Sequence, residues 1–289
     1  MNITDRRFIV MKLFHILRAD GTRWFGRRKM WAAIIGIAAA DYLMLGQDAS
    51  AISVSSVLDM VYLYIGDPFF ILCLMLSATV MGTSYCDERE TGCFFLLMNR
   101  CSRKKYIISK IIHTFFSALF VLTAGTFLWI CSMRLFMPWA NPQEDSFRSI
   151  ASNGMGELLL RQNYPLYFFL HSLGYGMTAG IVSAATFLIS MILKDKMLVQ
   201  VLPVLLYYIN TIFFPSYSER CYTYSLSNIF YFIDNSISST KLLLARGIGI
   251  CIFLLFIFGS ISYWILGRNF YGTLPRRKRL PLLLSFLFY

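Results

Sequence analysis

Six stretches of the chain are apolar over the length a helix needs to cross a bilayer, and this limits the possible folds more than any other feature. A hydrocarbon core about 30 Å thick takes roughly 20 residues of helix. Within it every backbone amide must be satisfied by the segment itself, because no water reaches it. The stretches cover residues 30–45, 59–85, 106–133, 164–193, 197–214 and 247–266. The second is longer than a straight span requires, and Gly66, Asp67 and Pro68 interrupt it. Proline removes an amide donor and clashes with the preceding turn. The expectation there is a short outer helix, a break at Pro68 and a main span over 69–85. Composition agrees with membrane burial: 57% of the residues are hydrophobic and only 15% charged, against about 25% charged in a soluble domain. A water-facing surface cannot be covered on that allowance, and intrinsic disorder needs the opposite balance. Aromatics at 17% and fourteen Met suit lipid contact and adaptable packing. The fold class expected is an all-α integral membrane protein, one transmembrane domain over 1–289. It divides into an interface helix with a basic cluster (1–29), six spans (30–266) and a basic tail (267–289).

A net charge of +12 would suggest nucleic acid in a soluble chain. Here the basic residues instead report orientation, since Lys and Arg accumulate on the cytoplasmic side of spans. Residues 1–29, 86–110, 194–196 and 267–289 hold 21 of them, while 134–163 and 215–246 hold six. Both termini are therefore expected in the cytoplasm, in keeping with an even number of spans, and no nucleic-acid partner is expected. Arg27, Arg28 and Lys29 followed by an apolar run and Ala38 to Ala40 imitate a secretory signal. The basic region is too long for one and five more spans follow, so no cleavage is expected. The polar segment 138–161 is expected outside the membrane, as is 215–246. Within the latter, 226–233 is either a short or re-entrant helix in the outer interface or a loop resting on lipid. No internal repeat is visible, and the two three-span halves do not resemble each other.

Residues 4–25 read as a helix lying on the inner membrane face. Val10, Leu13, Phe14 and Leu17 follow helical spacing on one stripe, Lys12 and Arg23 lie opposite, and Arg7 and Arg18 flank it. Basic side chains there gain from anionic inner-leaflet lipid. Between the second and third spans comes the most informative segment. Asp87, Glu88 and Glu90 surround Arg89, Thr91 and Gly92 interrupt, Phe94 to Leu97 follow, and Arg103, Lys104 and Lys105 close the loop. This pattern predicts a short cytoplasmic helix with an acidic start, suited to the positive end of the helix dipole. Its apolar side chains either lie on lipid or dock a cytosolic partner, with Phe94 and Phe95 as apolar anchors and Glu88 and Glu90 offering charge to a basic cleft.

The run Glu88, Arg89, Glu90, Thr91, Gly92, then Leu96 and Leu97, Ser102 and Arg103, and Lys110, resembles the first cytoplasmic loop of the type-2 ABC exporter permeases. The interface helix, the cluster Arg27, Arg28, Lys29 and the following Trp31 are similar to that family's start. So is Leu226, Ser227, Asn228 with Tyr231 and Phe232 after the fifth span, although Pro is common where Asn228 stands. The chain departs from the pattern at Cys93 and Phe94, and at Asn99 and Arg100, where Pro is common. The resemblance implies a multi-pass permease of a bacterial cytoplasmic membrane, working as a homo- or heterodimer with a second permease chain. Separate ATP-binding subunits would carry the ATP and Mg, leaving this chain no cofactor of its own. It implies that residues 87–98, with Glu88, Arg89, Glu90, Thr91, Gly92, Phe94 and Phe95, receive motion from the ATPase. It also implies that spans one, two and five border the dimer pathway.

No chemistry is expected within the chain. The nearest approach to a phosphate-binding loop, 21–28 (GTRWFGRR), has Arg at both the Lys and the hydroxyl positions and precedes a span instead of following a strand. No metalloprotease motif or nucleophile elbow occurs, and His15, His113 and His171 are far apart. The Cys residues at 73, 86, 93, 101, 131, 221 and 251 match no metal framework, so neither a metal nor a catalytic site is expected. Cys131 and Cys221 share the outer side, which leaves one disulfide open. Ionisable residues within spans are costly and are functional candidates by default. Asp41 lies eleven residues past Met30, roughly 16 Å along a helix. It either contacts a substrate or marks the wet outer end of a short or tilted span. Tyr207, Tyr208 and Asn210 are the polar features of the fifth span and either line a pathway or bond between helices. The alternative to an ATP-driven exporter is a self-sufficient channel or secondary carrier, which should show buried charges or broken helices.

Overall fold

The computed structural model describes residues 21, 28–48, 55–64, 70–152, 155–217, 229–230 and 239–273, and among these every regular element is a helix. In chain order they are α1 (Arg28–Asp48), α2 (Val57–Tyr64), α3 (Phe70–Thr79), α4 (Ser84–Glu90), α5 (Cys93–Arg100), α6 (Arg103–Met133), α7 (Asp145–Ala151), α8 (Gly156–Leu160), α9 (Tyr164–Ser190), α10 (Lys196–Tyr217) and α11 (Thr240–Thr273). Three helices are long and apolar enough to cross a membrane: α6, α9 and the Thr240–Arg268 part of α11. The bent pair α3 and α4 passes the same test only when the two helices are taken together as one span. The other two stretches coincide with α1 and α10, 21 and 22 residues long. The interface helix at 4–25, the Gly66–Pro68 break and the tail from 274 lie outside the described residues.

The second stretch differs from its expectation. The main span does not run unbroken over 69–85; α3 ends at Thr79, turns occupy 80–83, and α4 sets off at 40°. The Ser77 and Thr79 hydroxyls donate to the carbonyls of Leu74 and Leu76, at 2.8 and 2.7 Å. Such back-bonding competes with the amide ladder and bends a helix. The Ser84 amide then bonds Met81, three residues back. As a result α4 carries Tyr85 and the acidic run as a continuation of the span and not as part of a loop.

Packing centres on α9, whose most extensive contact is with α6; α3, α10 and α11 also lie against it, and α1 packs on α6 and α3. Close approach of α6 and α9 depends on Gly176 and Gly180, one helical turn apart. A Cβ on Gly176 would lie 2.7 Å from the Leu119 carbonyl oxygen, and one on Gly180 would lie 2.6 Å from the Phe115 ring. Two small residues at this spacing let membrane helices meet backbone to backbone, where attraction comes from packing and not from water.

The segment after α6 is not a polar loop. Phe147, Ile150, Met155 and Leu159 are buried in the core, because their spacing turns them to one side of the short helices α7 and α8. Trp139 stacks on Phe168 at 5.2 Å. The carbonyls of Pro138 and Trp139 accept from the Val57 and Leu58 amides at 3.0 and 3.1 Å, satisfying donors at the start of α2. Of 226–233 only Ile229 and Phe230 are described; both are helical and buried against the bundle, not laid on its surface.

Candidate coupling site

The acidic run sits at the C-terminal end of α4 and not at the start of α5. Gly92 separates the two helices with φ of +71°, a left-handed turn that costs a side-chain-bearing residue energy. Before it, Thr91 closes α4 by donating its hydroxyl to the Asp87 carbonyl at 2.9 Å. Only Asp87 stands in the first turn of a helix, α4; Glu88 and Glu90 fall toward its C-terminal end, and α5 has no acid in its first turn. Lysines from two other helices balance the charge instead.

Glu88 turns inward. Its carboxylate accepts a hydrogen bond from the Tyr106 hydroxyl at 2.6 Å and pairs with the Lys110 ammonium, both on α6. The side chains are 15% and 5% exposed, so the pair is largely out of water. The Lys110 ammonium also lies 5.8 Å from the Tyr106 ring centroid, within cation–π range. Glu90 and Asp87 turn the other way. Lys196, the first residue of α10, donates to Glu90 at 2.6 Å and bridges Asp87 at 2.9 Å. Hydrogen bonds to Glu90 and then Asp87 hold the Lys196 ammonium above the ordinary lysine range. It therefore keeps its charge at any neutral pH. These groups are solvent-exposed, so they fix position more than they add stability. Arg89 lies 6.0 Å from the Tyr85 ring.

Beneath the charges lies a satellite core. Phe94 packs edge-on to Tyr85 and Tyr106 at 5.3 and 5.8 Å, and Tyr85 meets Phe187 of α9 at 6.4 Å. Ile107, Ile111, Met191 and Leu266 complete it. Edge-to-face pairs of this kind add about 0.5–1.5 kcal/mol each beyond the burial of area. Phe94, expected as an outward anchor, is thus an internal wedge, only 6% exposed. Glu88 likewise is not offered to a partner, because Lys110 and Tyr106 hold it. Among the described residues the turn presents outward Glu90, Thr91, Cys93 and Leu96, the last 65% exposed. The side chain of Phe95 lies outside the described residues.

Of the span residues, Asp41 is only 1% exposed. It sits inside the bundle, where the Cys73 thiol donates to its Oδ1 at 3.3 Å. A buried polar column continues through α9: the Tyr175 hydroxyl and His171 Nε2 lie 3.1 Å apart, and His171 stacks on Tyr167 at 5.9 Å. Phe70 joins Tyr175 to Tyr207, with ring centroids 5.5 and 6.3 Å away. Tyr207 is buried and Tyr208 exposed, so the structure separates these neighbours. Asn210 and Tyr207 line a cleft of about 410 Å³ between α9, α10 and α11, with Phe230 and Phe258. His113 is half-buried on α6. Cys131 is a free, exposed thiol, and Cys221 lies outside the described residues.

Sequence reasoning did not assign Lys110, Tyr106 or Lys196 a structural role. A signal existed for Lys110, a cation set five residues past Lys105, where α6 has already become mainly apolar. The Gly176 and Gly180 pair was legible as well. Comparison with family models, with curated proteins and with solved structures returns no match.

Proposed function

We propose that this chain is the membrane subunit of an ATP-driven exporter. It spans the membrane six times with both termini in the cytoplasm, pairs with a second permease chain and takes work from a separate cytosolic ATP-binding subunit. Residues 87–98 form the contact. The observation that carries this reading is the two-sided construction of that turn. Its outer side offers Leu96 and Glu90, while its inner side fixes Phe94 and Glu88 to α6, the wedge reaches α9, and Lys196 ties it to α10. A load applied to α5 therefore reaches three long helices through packed and paired groups, not through a loose linker. ATP drives such a cycle only if the subunit that binds it favours one arrangement of those helices over the other. At 1.5 Å per residue, α1 and α10 are about 31 and 33 Å long, enough to cross a bilayer. They expose large apolar residues (Trp31, Ile35, Leu43, Leu202, Leu205, Leu206) that need lipid or a second chain. Buried Asp41, facing the column of polar side chains, supports a pathway near α1, α3 and α10.

One second reading has a specific observation in its favour. A secondary carrier uses buried charges and broken helices, and Asp41 with the α3–α4 bend supplies one of each. Reconstitution separates the two. With the ATP-binding subunit present, Glu90→Lys and Phe95→Ala should leave the chain inserted but weaken assembly or uncouple hydrolysis from transport. Full coupled activity in both variants, or transport by this chain alone under an ion gradient, would refute the exporter reading.

A further inference from the structure

Bordering the satellite core, α6 and α11 enclose a second, larger cavity of about 540 Å³, open to the side of the bundle. Ile107, Ile108, Ile111 and Ile112 form one wall; Leu255, Phe256 and Tyr263 form the other. Its rim faces outward, with Ile108 at 48% and Phe256 at 73% exposure. The two helices touch where Gly259 meets Ile111 and again where Gly267 meets the Arg103 guanidinium, each 3.6 Å from where a Cβ would stand. One end of the groove is basic. Lys104 lines it, with its ammonium 5.9 Å from the Tyr263 ring. Arg103 reaches across to α11, and Arg268 sits one turn beyond Trp264, its guanidinium 6.0 Å from that ring. Neither α6 nor α11 carries an Asp or Glu anywhere along its length.

We propose that this groove binds a phospholipid with an anionic headgroup, drawn from the cytoplasmic leaflet. From Lys104 to Ile112 the wall runs about 12 Å. One leaflet of a hydrocarbon core about 30 Å thick has nearly that depth, so an acyl chain fills the apolar part while the phosphate meets the cations. Exposed Trp264 stands at the same end as the cations, at the level where membrane-interface aromatics collect. Charge complementarity selects this occupant over two others. The tail beyond α11 has Arg276, Arg277, Lys278 and Arg279 in its sequence and would add like charge to a basic mouth. A second copy docking this same face would bring only further cations, since neither helix has an acid to answer them. The inference rests on the positive-inside orientation, which sets the leaflet, and is independent of whether ATP drives transport.

Native mass spectrometry of the full chain in detergent tests it, with phosphatidylglycerol and phosphatidylcholine of identical acyl chains supplied together. Phosphatidylglycerol should be retained in preference. Lys104→Gln should lower that retention about fivefold, corresponding to about 1 kcal/mol per basic side chain near a membrane surface. Adding Arg268→Gln should lower it about fivefold again, with phosphatidylcholine unchanged. Ser260→Trp, which fills the groove, should reduce both lipids. Three results would each overturn the proposal: equal retention of the two lipids, a preference untouched by Lys104→Gln and Arg268→Gln, or displacement of the lipid by millimolar inorganic phosphate. Loss of a dimer in Ser260→Trp without loss of lipid would instead assign the face to a second copy. None of these readouts involves the ATP-binding subunit, so failure here leaves the exporter reading untouched.

Discussion

Removing one member of the Glu88–Lys110 pair should cost far more stability than removing both. The Lys110 side chain is 5% exposed and that of Glu88 15%, so neither charge can turn to water without moving α4 off α6. Breaking a buried pair from one side typically costs about 3–5 kcal/mol, because an uncompensated charge remains. Glu88→Gln strands the deeper group and should fall in the upper part of that range. Lys110→Met leaves a carboxylate that keeps some solvent and the Tyr106 hydroxyl at 2.6 Å, so it should fall near the lower end. The double variant Glu88→Met with Lys110→Met places two flexible apolar side chains beside Phe94, Ile107 and Ile111. Replacing both partners by apolar groups is often neutral or better, so it should unfold within about 1 kcal/mol of the parent. The coupling energy is then at least about 5 kcal/mol, well outside the error of additivity between distant sites. Titration with a denaturing detergent in mixed micelles, followed by tryptophan fluorescence, gives the three differences. Single variants within about 1 kcal/mol of the parent, or a double variant equal to the sum of the singles, would refute the claim that this pair locks the turn to the bundle.

Other outcomes follow from the same structure. Gly92→Ala should destabilise by about 1–2 kcal/mol, with Gly92→Asn milder, since nothing lies within 4 Å of a Cβ there and the cost is purely conformational; parallel thermal melts check the order. Asp41→Asn should preserve expression and assembly yet change substrate-stimulated ATPase activity, because the carboxylate is buried inside the bundle with the Cys73 thiol on its Oδ1; an unchanged stimulated rate would remove it from the pathway. A membrane-impermeant thiol reagent should reach Cys101 only from the cytoplasmic side, and cysteines placed at Ser146 and Ser236 only from outside; labelling of all three from one side would end the six-span arrangement.

Hydrophobic length alone located the long helices, since α6 and α9 begin and end within a few residues of the stretches read from the sequence. What it did not contain was the fate of the polar groups. The break at 80–83 arises from hydroxyls of Ser77 and Thr79 bonding their own helix, a choice that hydropathy does not record. Spacing marked Glu88, Glu90 and Phe94 as one unit but could not tell inside from outside. That depends on Lys110 and Lys196, which are distant in sequence and meet the turn only once α6 and α10 have packed. Asp41 was ambiguous for the same reason: its depth along α1 was readable, while its neighbour Cys73 comes from another helix.

We propose the turn between α4 and α6 as a docking lever for a cytosolic ATP-binding protein. A photo-crosslinking amino acid at Leu96, an exposed side chain of α5, tests it in native membranes. The account predicts a crosslink to a nucleotide-binding protein that is lost when Glu90→Lys is added. Crosslinks to lipid alone, in the presence of that subunit, would contradict it.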